Sequence, residues 1–190
     1  MIEKSNYDKT YKQVDFSKFQ LAGTEFDNCI FIDCSFLNCI LNDTDFLECQ
    51  FENCSFIMAK TQNTGFKDVK FKGCKLVGLD FSLCNNFLFE VEFASSQLDY
   101  ALFSKKNLKK TRFLNCSVKE ADFSETNLTE AIFDNTDLTG SFFEYSNLEK
   151  TDFRTAINFN IDPEKNKMKG AKFSSGELAG LLGKYGLKIY

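Results

Sequence analysis

Large apolar residues recur at every fifth position of this chain. One series runs through Phe16, Leu21, Phe26, Phe31, Phe36, Leu41, Phe46, Phe51, Phe56, Thr61, Phe66, Phe71, Leu76 and Phe81. A second runs through Leu88, Phe93, Leu98, Phe103, Leu108, Phe113, Val118, Phe123, Leu128, Phe133, Leu138, Phe143, Leu148 and Phe153. Phe or Leu holds 26 of the 28 centres, and only Thr61 and Val118 depart. A helix repeats every 3.6 residues and a strand every 2, so neither produces this spacing. A solenoid does, because each short repeat buries its apolar residue only against its neighbours. The residue two before each centre is small almost throughout: Thr24, Cys29, Cys34, Cys39, Thr44 and Cys49 in the first half, Ala121, Thr126, Ala131 and Thr136 in the second. The other three positions are mostly polar. Each pentad therefore sends one large and one small residue inward, since large residues at every inward place would overfill a narrow tube.

Longer spacings predict how pentads make a turn. Leu21, Leu41 and Thr61 break the run of Phe at intervals of twenty, and Thr24, Thr44, Thr64 and Cys84 form another such series. In the second half Phe and Leu centres alternate, with Val118 in a Leu place. Four pentads per turn would put Phe on two opposite walls, Leu on the other two, and stack like on like between turns.

With a small residue, a polar residue, Leu or Phe and two polar residues in tandem, residues 14 to 157 resemble a pentapeptide-repeat protein. The resemblance implies an all-β solenoid, a right-handed quadrilateral β-helix. Twenty-eight centres then make seven coils, a rod of about 34 Å at about 4.8 Å per coil.

Two irregularities divide the chain. Phe81 to Leu88 is seven residues, so two are inserted near Cys84-Asn85-Asn86, predicting a bulged corner between two halves. After Phe153 the pattern degrades. Asp162-Pro163 reads as the start of a short helical turn. Ser174 to Glu177 resembles a capping box, followed by Leu178, Leu181, Leu182 and Tyr185 at α-helical spacing and Gly186 as the stop. The expected organisation is an N-terminal cap at 1–13, the β-helix at 14–157 with its register shift near 82–88, and a cap and dimerisation segment with a short α-helix at 158–190. An open coil end exposes unpaired backbone and bare rings, so solenoids need caps. The apolar stripe Leu178, Leu181, Leu182 and Tyr185, with Leu187 and Ile189 beyond it, exceeds what one lid needs and is also a candidate dimer interface.

The eight cysteines, Cys29, Cys34, Cys39, Cys49, Cys54, Cys74, Cys84 and Cys116, all fall in the small inward position. There they interchange with Ala, Thr, Ser and Val as small hydrophobes. Stacked Cβ atoms would lie about 4.8 Å apart, beyond the roughly 3.5–4.5 Å of a disulfide. A C-x4-C ladder is also unlike zinc-ligand spacing. The chain contains no histidine, which removes His-based triads and zincin sites. No phosphate- or dinucleotide-binding fingerprint is present. Carboxylate pairs such as Asp43/Asp45 and Glu120/Asp122 lie on the outer wall, without the burial or cleft that tunes a general acid. The expectation is a protein that is not an enzyme, with no cofactor, no metal and no small-molecule substrate. No run of 18 apolar residues spans a membrane, and MIEKSNYDKTYKQ lacks the apolar stretch of a signal peptide, so the expected location is cytoplasmic.

Charge alternates along the chain. Residues 15–59 carry a net −7, residues 60–112 +5, residues 113–149 −7 and residues 150–190 +4, within an overall −4. The second acidic band comprises Glu120, Asp122, Glu125, Glu130, Asp134, Asp137, Glu144 and Glu149. Regularly spaced carboxylates can compete for a groove built for phosphates. The branch of the family that this chain resembles is the quinolone-resistance, gyrase-protecting group, with tails also like those of microcin-immunity members. That resemblance rests on repeat length, the two-halved coil and the capped tail. It implies a homodimer joined C-terminus to C-terminus, a DNA-like rod that binds DNA gyrase or topoisomerase IV, and no direct contact with nucleic acid. Some of these relatives project long loops, and this sequence has none. The alternative is a protein-interaction scaffold with another partner.

Overall fold

The computed structural model describes residues 2–188. Its strands are three or four residues long: β1 (Ser5–Tyr7), β2 (Thr10–Lys12), β3 (Glu25–Asp27), β4 (Ile30–Ile32), β5 (Asp45–Leu47), β6 (Gln50–Glu52), β7 (Gly65–Lys67), β8 (Val69–Lys72), β9 (Val91–Ala94), β10 (Arg112–Leu114) and β11 (Ile132–Asp134). All pairings are parallel. One sheet stacks β1, β3, β5 and β7, and the other stacks β2, β4, β6, β8, β9, β10 and β11. Partners before the insertion are twenty residues apart, as in Phe26↔Phe46 and Phe31↔Phe51. Isolated bridges such as Ser35↔Ser55 and Ile40↔Lys60 continue the ladder on the remaining two walls. The result is a four-sided parallel β-solenoid, one pentad per wall.

The interior follows the pentad. Centres from Phe16 to Phe81 and from Phe93 to Phe153 are buried. Rings stack nearly parallel between coils: Phe16 on Phe36 at 4.5 Å, Phe36 on Phe56 at 4.6 Å, Phe113 on Phe133 at 4.7 Å. One column runs through Tyr11, Phe31, Phe51, Phe71, Phe93, Phe113, Phe133, Phe153 and Phe173. Rings on adjacent walls meet edge to face, the other favoured geometry for aromatic pairs.

The small residues do more than save space. Thr44 Oγ1 donates to Leu21 O at 2.8 Å, Thr64 to Leu41 O at 2.8 Å, Thr126 to Phe103 O at 2.9 Å and Thr136 to Phe113 O at 2.9 Å. Cys49 and Cys54 place their thiols in the same way on Phe26 O and Phe31 O, at 3.4 Å. These hydroxyls and thiols thus find a carbonyl one coil below, which lets their polar atoms sit inside the tube without an unpaired donor. All eight cysteines are buried and unpaired.

Corners fall two residues after each centre, in the left-handed region: Asn28 (φ 49), Asp33 (φ 52), Asn38 (φ 57) and Asp43 (φ 57) are examples. Asn and Asp tolerate that region better than most residues. Their side chains also form outer ladders, Asn28 to Asp8 at 2.7 Å and Asn63 to Asp43 at 2.7 Å.

The ladder begins before residue 14. Residues of β1 and β2 pair with the second coil, with Asn6 and Tyr11 in the centre positions. Asn6 is fully buried, and donates to Glu3 O and Glu25 O while accepting from Tyr11 Oη. A polar centre thus closes this end with its own hydrogen bonds. At the other end Asn147↔Lys167 and Asp152↔Lys172 extend the ladder, and Phe173 stacks on Phe153 at 5.2 Å.

Two sequence expectations change at the irregularities. Leu88, read as a centre, points outward at 64% exposure with φ 54, and Phe89 is turned inward in its stead. Asn85 N still reaches Thr64 O with ordinary spacing, but Glu90 N reaches Phe66 O, and from Val69↔Val91 onward partners across the joint are 22 apart. The extra residues therefore lie within 86–90. Lys106 lies beneath this joint, in a small inward position, and is 2% exposed. Its ammonium donates to Cys84 O and, at 2.7 Å, to Asn86 Oδ1, and lies 5.1 Å from the Phe89 ring centroid. The terminal helix is also not α. Ser175–Leu181 and Gly183–Tyr185 are 3-10 segments, and the Ser174 side chain makes no capping bond. Gly176, Gly180 and Gly183 weaken an α-helix here. Gly180 is needed for packing, because a Cβ there would run into Phe159. Ile161 N donates to Gly180 O at 2.9 Å and ties this segment to the last coil. Among the described residues no helix is long and apolar enough to cross a membrane.

Candidate functional site

The acidic band is a collar around the rod. Glu120 to Asp137 spans eighteen residues of a twenty-residue turn, so these carboxylates are spread over all four walls. Glu120, Glu125 and Glu130 stand on corners with positive φ. Asp122 lies on a flat wall between Leu102 and Phe142, and Asp137 on the preceding wall between Ser117 and Ile157. Glu144 and Glu149 belong to the next turn, as Glu125 N→Glu144 O and Glu130 N→Glu149 O show.

Lysines interleave with this collar. Glu125 pairs with Lys105 at 3.7 Å, Glu130 with Lys150 at 3.8 Å, Asp137 with Lys119 at 3.1 Å and Glu144 with Lys165 at 2.6 Å. Asp134 accepts from Thr155 Oγ1 at 2.7 Å, and Asp122 from Ser124 N at 2.8 Å. Among the described residues Glu120, Asp122, Asp134 and Glu149 have no ion pair. Partial burial draws the Asp137 carboxyl upward, but hydrogen bonds from Thr139, Asn158 and Lys119 outweigh it and hold the group at about 2.

Sequence reasoning missed three exposed apolar side chains on one wall, set among charged rungs. Ile40, Leu102 and Phe142 share one ladder column with Lys60, Asp80 and Asp122, and are 53%, 38% and 55% exposed. Met58 and Tyr100 stand exposed on corners. The signal was available: an apolar residue immediately before a centre must point outward. Next to Phe142 a cleft of about 390 Å³ opens between the wall and the terminal segment, lined by Glu120, Glu144, Asp162, Lys165 and Lys184 among others.

The terminal segment presents Leu178, Leu182, Tyr185 and Leu187 to solvent. Leu181 packs against the core instead, so the stripe divides into a lid residue and an exposed set. Ile189 lies outside the described residues. Lys184 bridges Asp162 at 2.9 Å and Glu164 at 2.6 Å, anchoring the segment to the turn before it. Among the described residues no three His, Cys, Asp or Glu side chains form a metal-binding group.

Two family models match the chain. One, for the pentapeptide repeat region, covers residues 44–123, and one for pentapeptide repeats covers 20–56 and 119–154. The chain belongs to the pentapeptide-repeat proteins. No curated protein matches it. Among solved structures it is similar to HetL, a pentapeptide-repeat protein involved in heterocyst differentiation regulation from the cyanobacterium Nostoc sp., with 12% identity, 90% of this chain and 86% of that one covered, and a TM-score of 0.62. It is also similar to full-length QnrB1, a plasmid-mediated fluoroquinolone resistance protein, with 17% identity, 96% and 100% covered, and a TM-score of 0.47. A trypsin-treated QnrB1 variant matches at 20% identity, 98% and 100% covered, and a TM-score of 0.49. At these identities the likeness to the pentapeptide-repeat proteins of known structure is one of fold.

Proposed function

We propose that this chain is a non-enzymatic rod that works by binding another protein, and that two copies join through their C-terminal ends. The observation that carries this reading is the division between inside and outside. The interior is filled with stacked rings and satisfied small residues. Every outward side chain is held on a fixed ladder at about 4.8 Å per rung. Such a surface displays chemistry to a partner rather than enclosing a substrate. The exposed Leu178, Leu182, Tyr185 and Leu187 supply the apolar end for the second copy.

The finer proposal for the partner is a type II topoisomerase, DNA gyrase or topoisomerase IV, engaged as a DNA mimic. It is supported by the sequence resemblance to the gyrase-protecting branch and by dimensions. A wall from Thr10 to Lys172 has nine rungs, about 38 Å, so two rods end to end would match more than 20 base pairs of duplex. The pairing of Glu125, Glu130, Asp137 and Glu144 with lysines favours a second reading, a scaffold whose partner docks on the mixed wall where the exposed Ile40, Leu102 and Phe142 stand among Lys60, Asp80 and Asp122.

A supercoiling assay with purified protein and gyrase, with and without a fluoroquinolone, separates the two. Topoisomerase mimicry requires altered supercoiling at micromolar protein, weakening as salt screens the acids. Reversal of Glu120, Asp122 and Glu149 should abolish the effect while leaving the dimer intact. With no binding at low salt and no effect on supercoiling, the scaffold reading stands.

A further inference from the structure

The joint between the two halves contains a buried charge with an unusual task. At the seven other cysteines the backbone carbonyl accepts an N–H from the next coil: Cys29 O from Gln50, Cys34 O from Ser55, Cys39 O from Lys60, Cys49 O from Lys70, Cys54 O from Lys75, Cys74 O from Gln97 and Cys116 O from Asp137. By the same pattern Cys84 O would accept from Asn107 N, just as Lys106 O accepts from Asn127 N. The two-residue insertion breaks that rung. Cys84 O is met by the Lys106 ammonium, which also binds Asn86 Oδ1 at 2.7 Å and faces the Phe89 ring.

We propose that Lys106 is a register selector: its buried ammonium decides whether Phe89 or Leu88 faces the interior at the joint. The competing register is the one written in the pentads. Leu88 would be the centre over Leu108, and Asn86 would take the small position over Lys106. The Asn86 carbonyl would then accept Asn107 N and complete the rung. That arrangement buries an apolar residue and restores a backbone hydrogen bond. It also takes Cys84 O away from the Lys106 ammonium and turns the Asn86 amide into the tube beside it. A buried charge short of an acceptor, with a buried amide to satisfy as well, costs more than one backbone bond returns, so the observed register wins. Leu88 and Phe87 are thrown outward as a result, at 64% and 68% exposure. With Ala or Thr at 106, the residues that fill this position elsewhere, the penalty vanishes and the pentad register takes over.

The test places Leu88→Ser and Phe89→Ser in three backgrounds: the natural chain, Lys106→Ala and Lys106→Thr. In the natural chain Phe89→Ser should lower Tm by roughly 6–12 °C and Leu88→Ser by less than about 2 °C. In both neutral backgrounds the order should reverse. A merely stabilising lysine would lower Tm overall and leave Phe89 as the sensitive position, and that result overturns the proposal. Sensitivity at Leu88 already in the natural chain also overturns it. So does failure of both neutral variants to fold, since the pentad register would then be inaccessible.

Discussion

Phe103 and Phe123 lie face to face, with ring centroids 5.0 Å apart and planes 4° from parallel. Phe123 is in turn stacked on Phe143 at 5.0 Å and edge-on to Phe113 at 5.8 Å and Phe133 at 5.8 Å. A single inward ring is thus shared by three coils, and its removal is felt above, below and on the opposite wall, where Phe113 and Phe133 stand in one column.

Phe123→Ala should therefore cost about 3–5 kcal/mol in denaturant unfolding, the range of large-to-small changes at rigid core sites. Glu125→Ala, two residues away on an exposed corner with only a 3.7 Å pair to Lys105, should stay within roughly 0.5 kcal/mol. Similar losses for the two would mean that the inward positions are misassigned.

Thr126→Val tests the inner hydrogen bonds apart from volume. The substitution keeps the shape of the side chain and removes the 2.9 Å donation to Phe103 O. That carbonyl also accepts from Lys106 N at 3.0 Å, so it is not left bare. The expected loss is about 0.5–1.5 kcal/mol, measured as a shift in denaturant midpoint at constant m-value.

Thiol chemistry should distinguish folded from unfolded protein sharply. Burial pushes Cys116 up to about 11 and Cys84 up to about 12, and burial with nearby Asp15 puts Cys39 at about 11. Cys29 and Cys74 are shifted the other way, by hydrogen bonds from Cys49 and Cys54, so burial, which all eight thiols share, is what seals them from reagent. A chromogenic disulfide reagent should titrate almost nothing in native protein and eight equivalents in denaturant. Rapid native reaction of several thiols would contradict the packing.

Acid sensitivity should carry the signature of Asp137. Its folded pKa, about 2, lies below the ordinary Asp value of 3.8, so its contribution is present above about pH 4 and is lost as pH falls through the folded value. Asp137→Asn should lower stability at pH 7 and flatten its fall between about pH 4 and 2. An unchanged slope would show that the Thr139, Asn158 and Lys119 bonds do not favour the charged form.

The proposed dimer is best tested at exposed positions. Leu182→Asp with Leu187→Asp should yield a folded monomer by light scattering, because both side chains face solvent. Leu181 is unsuitable, since it packs on the core and its loss would confound folding with assembly. Unchanged mass in the double variant would remove the C-terminal interface.

The pentad centres and small positions carried most of the fold into the sequence, because a narrow tube leaves no freedom in which residue points inward. Legibility ended where the period did. Leu88 matched the pattern yet lies outside, and the Lys106 contact to Cys84 O at that joint comes from a full coil away in sequence, where single-position volume rules do not register it. The terminal residues had α-helical spacing, but Gly176, Gly180 and Gly183 and the close approach to Phe159 select a tighter 3-10 path. The acids read as a band along the chain and emerged as a collar, since eighteen residues of sequence wrap almost a whole turn. The exposed Ile40, Leu102 and Phe142 were hidden in positions treated simply as solvent-facing.

The column that passes from Phe71 to Phe93 crosses the two-residue insertion without changing walls. Azimuth and length are thus separately encoded in this chain. A short bulge is absorbed at a corner and leaves the downstream half aligned. Removal of one pentad would instead turn everything beyond it by a quarter of the circumference, and removal of four would shorten the rod by one rung with no rotation. Surface features on the two halves can therefore be indexed against each other like the settings of a four-position dial. Variation in steps of five residues re-aims a patch, and variation in steps of twenty changes only its reach.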